Sequence, residues 1–455
     1  MDEIISLVSN LVIYVVYLFG WHIFNVFKIL KRRFDGTNVV SLKKARVGRI
    51  IFRKKRDPEE IVRREDFWTI LKRRFDGTNV VSLKKARVGR IIFRKKRDPE
   101  EIVRREDFWT VDDGFVDRNV LKTANWTVYS IDKAGVVLVE LPKPLSEYTI
   151  EKYPFCYLPL FDEAMRTAQL DLASFTELAD ELEVDNKPPR TLFFTNTARC
   201  ASTLFGSMLQ HKDHSVVLGE HSTLMVMSIG FAENYWSAWE VERYLPALIK
   251  MHRKCVPSDK LFVFKGSSTE VKLVPFLSKL MPEIRHVFMF RKKGCDSVEK
   301  TVLRHPAQFF LAKMYNFSPF LTTSLFGFLV ACEGPLNREL KPATPKEFAM
   351  LVYGGPYFYY KQNLDAFDLG VVWHHELIKD PENVLKPIFE NLDLPLDLMA
   401  DAKECLKKDS QENTFLSQTA LAGIRVTEMT SELKASLVRY AERLQMEPEV
   451  SGLFE

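Results

Sequence analysis

Apolar and polar positions divide the chain into four stretches. From Ile4 to Phe27 there is no Lys, Arg, Asp or Glu. At ~1.5 Å rise per residue that run is long enough to cross a ~30 Å hydrocarbon core. It is apolar on all faces, which predicts a single-pass membrane anchor rather than a core helix, with Tyr17 and Trp21 placed to sit near an interface. The start Met-Asp-Glu and the lack of a following Ala-x-Ala argue against a cleaved signal peptide. Further on, alternation over Asn125 to Ile131 and Gly135 to Leu141, with a turn at Asp132 to Ala134, predicts paired strands. Asp162 to Leu182 carries a helical period. After Pro188-Pro189, short apolar runs predict buried strands at Thr191 to Thr195, Ser215 to Leu218, Leu261 to Phe264, His286 to Phe290 and Gly370 to Trp373. Helical stretches separate them at Ser202 to His211, Trp236 to Lys254, Val271 to Lys279 and Ser297 to Arg304. This rhythm predicts an α/β fold, a parallel sheet between two layers of helices. Ser318 to Cys332 is too short to span a bilayer and is expected to be a buried helix.

The second stretch is distinguished by charge. Ile29 to Thr69 and Ile70 to Thr110 are identical letter for letter. Each copy holds 13 Lys/Arg and 6 Asp/Glu, a surplus of seven, so the pair carries +14; against +5 for the whole chain, the remainder carries −9. Two copies fall below the three or so that stacked repeats need. The segment is expected to be either a solvated basic linker or a surface for anionic lipid headgroups. The expected organisation is an anchor over 1–30, the basic repeat over 29–110, a small β element with a helical lead-in over 111–187, and an α/β domain over 188–455. The basic flank after the anchor favours a cytosolic body, whereas the sequon Asn125-Trp126-Thr127 favours a lumenal one. Six cysteines, scattered, give neither a disulfide framework nor a metal motif. No nucleic-acid motif occurs, and the oligomeric state is open.

The chemistry concentrates after the first strand of the α/β domain. Thr191-Leu-Phe-Phe-Thr-Asn-Thr-Ala-Arg-Cys-Ala-Ser-Thr-Leu204 reads as strand, tight loop of small residues, helix start. Loop amides and a helix N-terminus aimed at one spot suit an anion. Ser202 and Thr203 can cap the helix or donate hydroxyls, and Arg199 adds a permanent charge in a planar fork. The Gly-x-x-x-x-Gly-Lys-Ser/Thr loop of ordinary ATPases is missing.

Ala198-Arg-Cys-Ala-Ser-Thr-Leu resembles the 5′-phosphosulfate loop of the sulfotransferase family, Pro-Arg/Lys-Ser-Gly-Ser/Thr-Thr-Leu. Thr197, Arg199, Cys200, Ala201, Ser202, Thr203 and Leu204 are then the implied donor-binding positions, with Ala201 departing from the family's Gly. Arg291-Lys-Lys-Gly-Cys-Asp-Ser297-Val-Glu-Lys300 is similar to the family's 3′-phosphate element, which implies Arg291 with Ser297 or Lys300. Gly219-Glu220-His221 resembles the Gly-Glu-Glu of protein-tyrosine sulfotransferases and implies Glu220 or His221 as general base. Lys265-Gly-Ser267 stands where cytosolic members carry a His. Val371 to Leu385, with His374-His375-Glu376 and Asp380-Pro381, is similar to the family's late strand and helix and is expected to be structural. Lys408 to Ser417 is a candidate closing loop. The resemblance, over roughly Pro188 to Ser417, implies sulfuryl transfer from 3′-phosphoadenosine-5′-phosphosulfate to a hydroxyl or amine, without metal, and a Golgi membrane location in the style of the anchored members. A nucleotide-dependent kinase and a membrane-tethered scaffold with a degenerate nucleotide site are the alternatives. The acceptor class is open.

Overall fold

Two five-stranded sheets organise the computed structural model, which describes residues 85–94, 103–182, 187–254, 256–319, 334–412, 414 and 416–453. The anchor expected over Ile4 to Phe27, the first repeat copy and most of the helix expected at Ser318 to Cys332 lie outside the described residues. Among the described residues no helix is long and apolar enough to cross a membrane.

The first sheet is antiparallel, in the order β2-β1-β5-β4-β3, formed by β1 (Lys85–Arg94), β2 (Phe108–Asp117), β3 (Trp126–Asp132), β4 (Gly135–Glu140) and β5 (Arg166–Leu170). It begins well before the boundary expected at residue 111. β1 and the start of β2 belong to the second repeat copy, whose density of cations masks a period-two pattern: Ala86 and Val88 are buried while Lys85, Arg87 and Arg90 are exposed. The single helix expected over Asp162 to Leu182 is instead the strand β5 followed by a helix at Leu172–Glu181. Asp171 breaks the two apart, its carboxylate accepting from the Ser174 amide as N-cap.

The second sheet is parallel, in the order β10-β9-β6-β8-β7, formed by β6 (Arg190–Asn196), β7 (Ser215–Leu218), β8 (Leu261–Lys265), β9 (Ile284–Phe290) and β10 (Val371–Trp373). Its strands alternate between two cores, as the pleat requires. Leu192, Phe194, Val217, Val263, Val287 and Met289 face one core, together with α1 (Ser202–Met208). Phe193, Phe262, Phe264, Phe288 and Phe290 face the other. That second core is filled by α2 (Ser222–Ala232), α3 (Ala238–Arg253), α4 (Val274–Leu280), α5 (Cys295–Arg304) and α6 (Pro345–Lys361), while α7 (Pro381–Asn391) joins α1 on the first side. The result is helix, sheet, helix in three layers.

The antiparallel sheet packs on the second core through β3, and Thr127 of β3 meets His252 of α3 (Oγ1 to Nδ1, 3.4 Å). The lead-in between the sheets is stitched to the edge strand β7: the Ile150 amide donates to Val217 O at 2.9 Å, and Thr149 bridges Leu218. This stitch carries the chain past the carboxyl end of β7, where the site lies.

Candidate active site

All five parallel strands end at one cavity of about 610 Å³. Asn196 and the loop after it come from β6, Glu220 from β7, Ser267 from β8, Arg291 from β9 and His374 from β10. The crevice outside the carboxyl ends of a parallel sheet, where strand order reverses about β6, is where such folds bind ligands. The volume is that of a small-molecule site.

The loop after β6 is held tightly. The Thr197 amide donates to Met289 O of β9 at 3.1 Å, tying the loop to the neighbouring strand. Arg199 and Ala201 both adopt left-handed backbone, at φ 63° and 67°. A non-glycine residue there costs of order 1–3 kcal/mol, and Ala201 occupies the position that is Gly in the resembling loops. The N-cap residue of α1, Ala201, offers no side-chain acceptor to the helix. Ala198, Arg199, Ala201, Ser202 and Thr203 line the cavity. Thr197, Cys200 and Leu204 do not; they point into the core, and burial pushes the Cys200 thiol up to about 11.

Arg199 is the most constrained charge in the site. Its Nη1 donates to Leu416 O at 2.9 Å and to Gln411 Oε1 at 3.4 Å, while its buried Nε has no partner. Burial, and then the charge of Arg291, disfavour its cationic form. Two guanidinium groups, from the β6 loop and the end of β9, thus line one cavity, and the Asp409 carboxylate in the same lining offsets part of their repulsion at Arg199. Arg291 leads a basic run, but its neighbours are spent elsewhere: Lys292 Nζ lies 5.0 Å from the Trp373 ring centroid and 3.9 Å from Glu449. Ser297 and Lys300 of α5 both line the cavity on the Arg291 side, one helical turn apart.

Glu220 lines the cavity and His221 does not. Glu220 is pinned through its backbone, donating to Pro154 O at 3.2 Å and accepting from the Tyr157 amide at 3.3 Å. Its carboxylate pairs with Lys265 Nζ at the end of β8. His221 is buried, its ring centroid 3.9 Å from that of His252 and its Nδ1 2.9 Å from Thr223 Oγ1. Burial holds it down to about 3. The expectation that His221 could serve as base is corrected accordingly: it caps α2 from inside the core.

Three residues in or beneath the cavity wall were given no site role in the sequence. Lys265, 2% exposed, underlies Glu220. Glu270, 1% exposed, accepts from the Ser267 amide at 2.7 Å, and burial, with the nearby Glu220 charge, holds it well above the ordinary carboxylate range. His374, expected to be structural, lines the cavity beside Arg291; burial, then Arg291, lowers it to about 4. The apolar-polar pattern of Leu261 to Ser267 marks a strand end, and a lysine at a strand end was the available signal.

No protein-family model matches the chain, and no curated protein matches it. Five solved structures that it resembles are sulfotransferases. The sulfotransferase domain from the curacin biosynthetic pathway is 14% identical, with a TM-score of 0.33 over 58% of this chain and 99% of that one. A sulfotransferase from Mycobacterium avium is 14% identical, with a TM-score of 0.32 over 62% of this chain and 83% of that one. One from Alicyclobacillus acidocaldarius is 13% identical, with a TM-score of 0.27 over 59% of this chain and all of that one. At scores this low the likeness decides nothing about chemistry, and the cavity itself must.

Proposed function

We propose that the chain transfers a sulfuryl group from 3′-phosphoadenosine-5′-phosphosulfate to an acceptor hydroxyl or amine. The observation that carries this is the convergence of Arg199 and Arg291, from the β6 loop and the end of β9, on one cavity. Two fixed cations that repel each other call for a ligand with two separated anionic groups, which a donor with 3′ and 5′ phosphates supplies. The missing Gly-Lys-Ser/Thr loop leaves the polyphosphate of ATP without its usual holder.

In this scheme Arg291, with Ser297 and Lys300, holds the 3′-phosphate through charge-assisted bonds. Ser202, Thr203 and the first amides of α1 orient the 5′-phosphate. Glu220 takes the acceptor's proton as the acceptor atom forms its bond to sulfur. The bond from sulfur to the 5′-phosphate oxygen breaks, and its electron pair leaves on that phosphate, where Arg199 meets the growing charge. Lys265 fixes the Glu220 carboxylate in place. The membrane anchor at Ile4 to Phe27 belongs to the same proposal as the element that holds the enzyme beside its acceptor.

The test is transfer of label from donor carrying radioactive sulfate to a panel of hydroxyl and amine acceptors, with Glu220→Gln as control. Labelled product that disappears in the variant is the expected result. No labelled product from any acceptor, together with phosphate transfer from ATP, would replace the proposal with a kinase.

A further inference from the structure

We infer that the acceptor is a small, uncharged hydroxyl compound with an apolar ring-bearing body, and not a polyanionic glycan or an acidic peptide. The inference rests on the sulfuryl-transfer proposal and names the substrate class of that same site. Glu220 has aromatic and apolar neighbours in the cavity wall. The backbone bonds to Pro154 and Tyr157 fix the 154–157 segment against it, so Phe155 and Tyr157, their ring centroids 6.0 Å apart, stand beside the carboxylate in the cavity wall. Met225, on the first turn of α2, continues that wall. Val302 of α5 and Val352 of α6 form apolar parts of the lining. The hydroxyls of Ser267, Ser268 and Thr269 add polar groups without charge.

The distribution of charge points the same way. Among the described residues, the fixed cations lining the cavity are Arg199, Arg291 and Lys300, which the two phosphates of the proposed donor would engage, and the lining also holds the carboxylates of Glu220 and Asp409. The lysine nearest the base, Lys265, is buried and already paired with Glu220. An acceptor bearing sulfates or carboxylates would bring its charge to Glu220 with no free cation to meet it, and like charges at that range repel. Aromatic and thioether surfaces instead reward an apolar body, and rings stack on rings.

The experiment is binding and turnover of 2-naphthol by the full chain, set against a heparin-derived oligosaccharide and an acidic tyrosine peptide. Naphthol binding is followed by its own fluorescence, with and without 3′,5′-bisphosphoadenosine. Naphthol is expected to bind and to be the fastest acceptor of the three. Phe155→Ala is expected to weaken naphthol roughly tenfold or more, in line with the loss of apolar pocket surface, and Phe155→Leu to keep most of the affinity. Retained bisphosphate binding shows that each variant is folded. Faster transfer to the glycan or the peptide, no naphthol binding, or an affinity indifferent to Phe155→Ala overturns the inference. Failure of the bisphosphate to bind overturns the sulfuryl-transfer proposal instead, and naphthol fluorescence still reads the apolar wall separately.

Discussion

Arg199 sits in left-handed backbone, half-satisfied by Leu416 and Gln411, with its Nε unpartnered. A group so placed contributes most when charge grows opposite it. Arg199→Ala should therefore lower turnover by about 10²–10³ while changing donor affinity less. Arg199→Lys should restore only part, since the planar fork is lost. Single-turnover rates and donor titration separate the two effects. Glu220→Gln should lower turnover by roughly 10²–10⁴ with donor affinity little changed. His221→Ala should lower the melting temperature and leave the turnover of folded enzyme intact, because that ring packs on His252 in the core. Ala201→Gly relieves a positive φ and should stabilise the fold by about 1 kcal/mol in urea titration. Residue types in the loop were legible in the sequence because small residues, a cation and hydroxyls fall in one short run. The Glu220–Lys265 pair was not legible: its members are 45 residues apart, and only the parallel register of β7 on β8 brings them together.

At the scale of elements, the segment after the last helices of the first core closes over the loop. Gln411 bridges it, its Nε2 donating to Thr203 Oγ1 at 2.9 Å and its Oε1 accepting from Arg199. In the proposed scheme both partners meet the donor's 5′ end, so a bound phosphate would displace these bonds. Gln411→Ala removes that competition and should raise donor affinity two- to tenfold, the range of about 0.5–1.5 kcal/mol for ordinary hydrogen bonds. Isothermal titration reads this directly; an unchanged or weaker affinity would show that Gln411 assists the ligand. The five parallel strands were readable because each is a short apolar run, and β6 to β9 are buried almost throughout on both faces. β5 was not: Arg-Thr-Ala-Gln-Leu fits a helical period as well as an alternating one, and only pairing with β1 and β4 settles it. β1 was hidden by the charge of the repeat that contains it.

For the whole molecule, buried histidines tie stability to pH. Burial holds His221 down to about 3, His286 to about 4 and His252 well below its ordinary 6.5. From about pH 6.5 down to about 4 the unfolded chain takes up protons at these sites and the folded chain does not, so stability falls as pH falls. Glu270 runs the other way. Its raised value means the folded chain keeps a proton that the unfolded chain releases above about 4.5, which offsets one of the three. The urea midpoint should be lower at pH 5.5 than at 7.5, because below about pH 6.5 the unfolding free energy falls by up to about 1.4 kcal/mol per pH unit for each unmatched proton. An equal or higher midpoint at pH 5.5 would mean these rings are charged in the fold. The anchor proposal is checked apart from the fold: the full chain should stay with membranes through alkaline carbonate washing, and release would remove the integral span.

The claim on which all of this turns is that Arg199 and Arg291 hold a nucleotide by two separated phosphates. Calorimetric affinities of 3′,5′-bisphosphoadenosine and adenosine 5′-monophosphate, for the unaltered chain and for Arg291→Ala, test it most directly. A desolvated guanidinium–phosphate contact is worth roughly 1.5–3 kcal/mol. The bisphosphate should therefore bind about ten- to a hundredfold more tightly, and Arg291→Ala should close most of that gap while leaving the monophosphate nearly unchanged. Equal affinities of the two nucleotides for the unaltered chain would contradict the account.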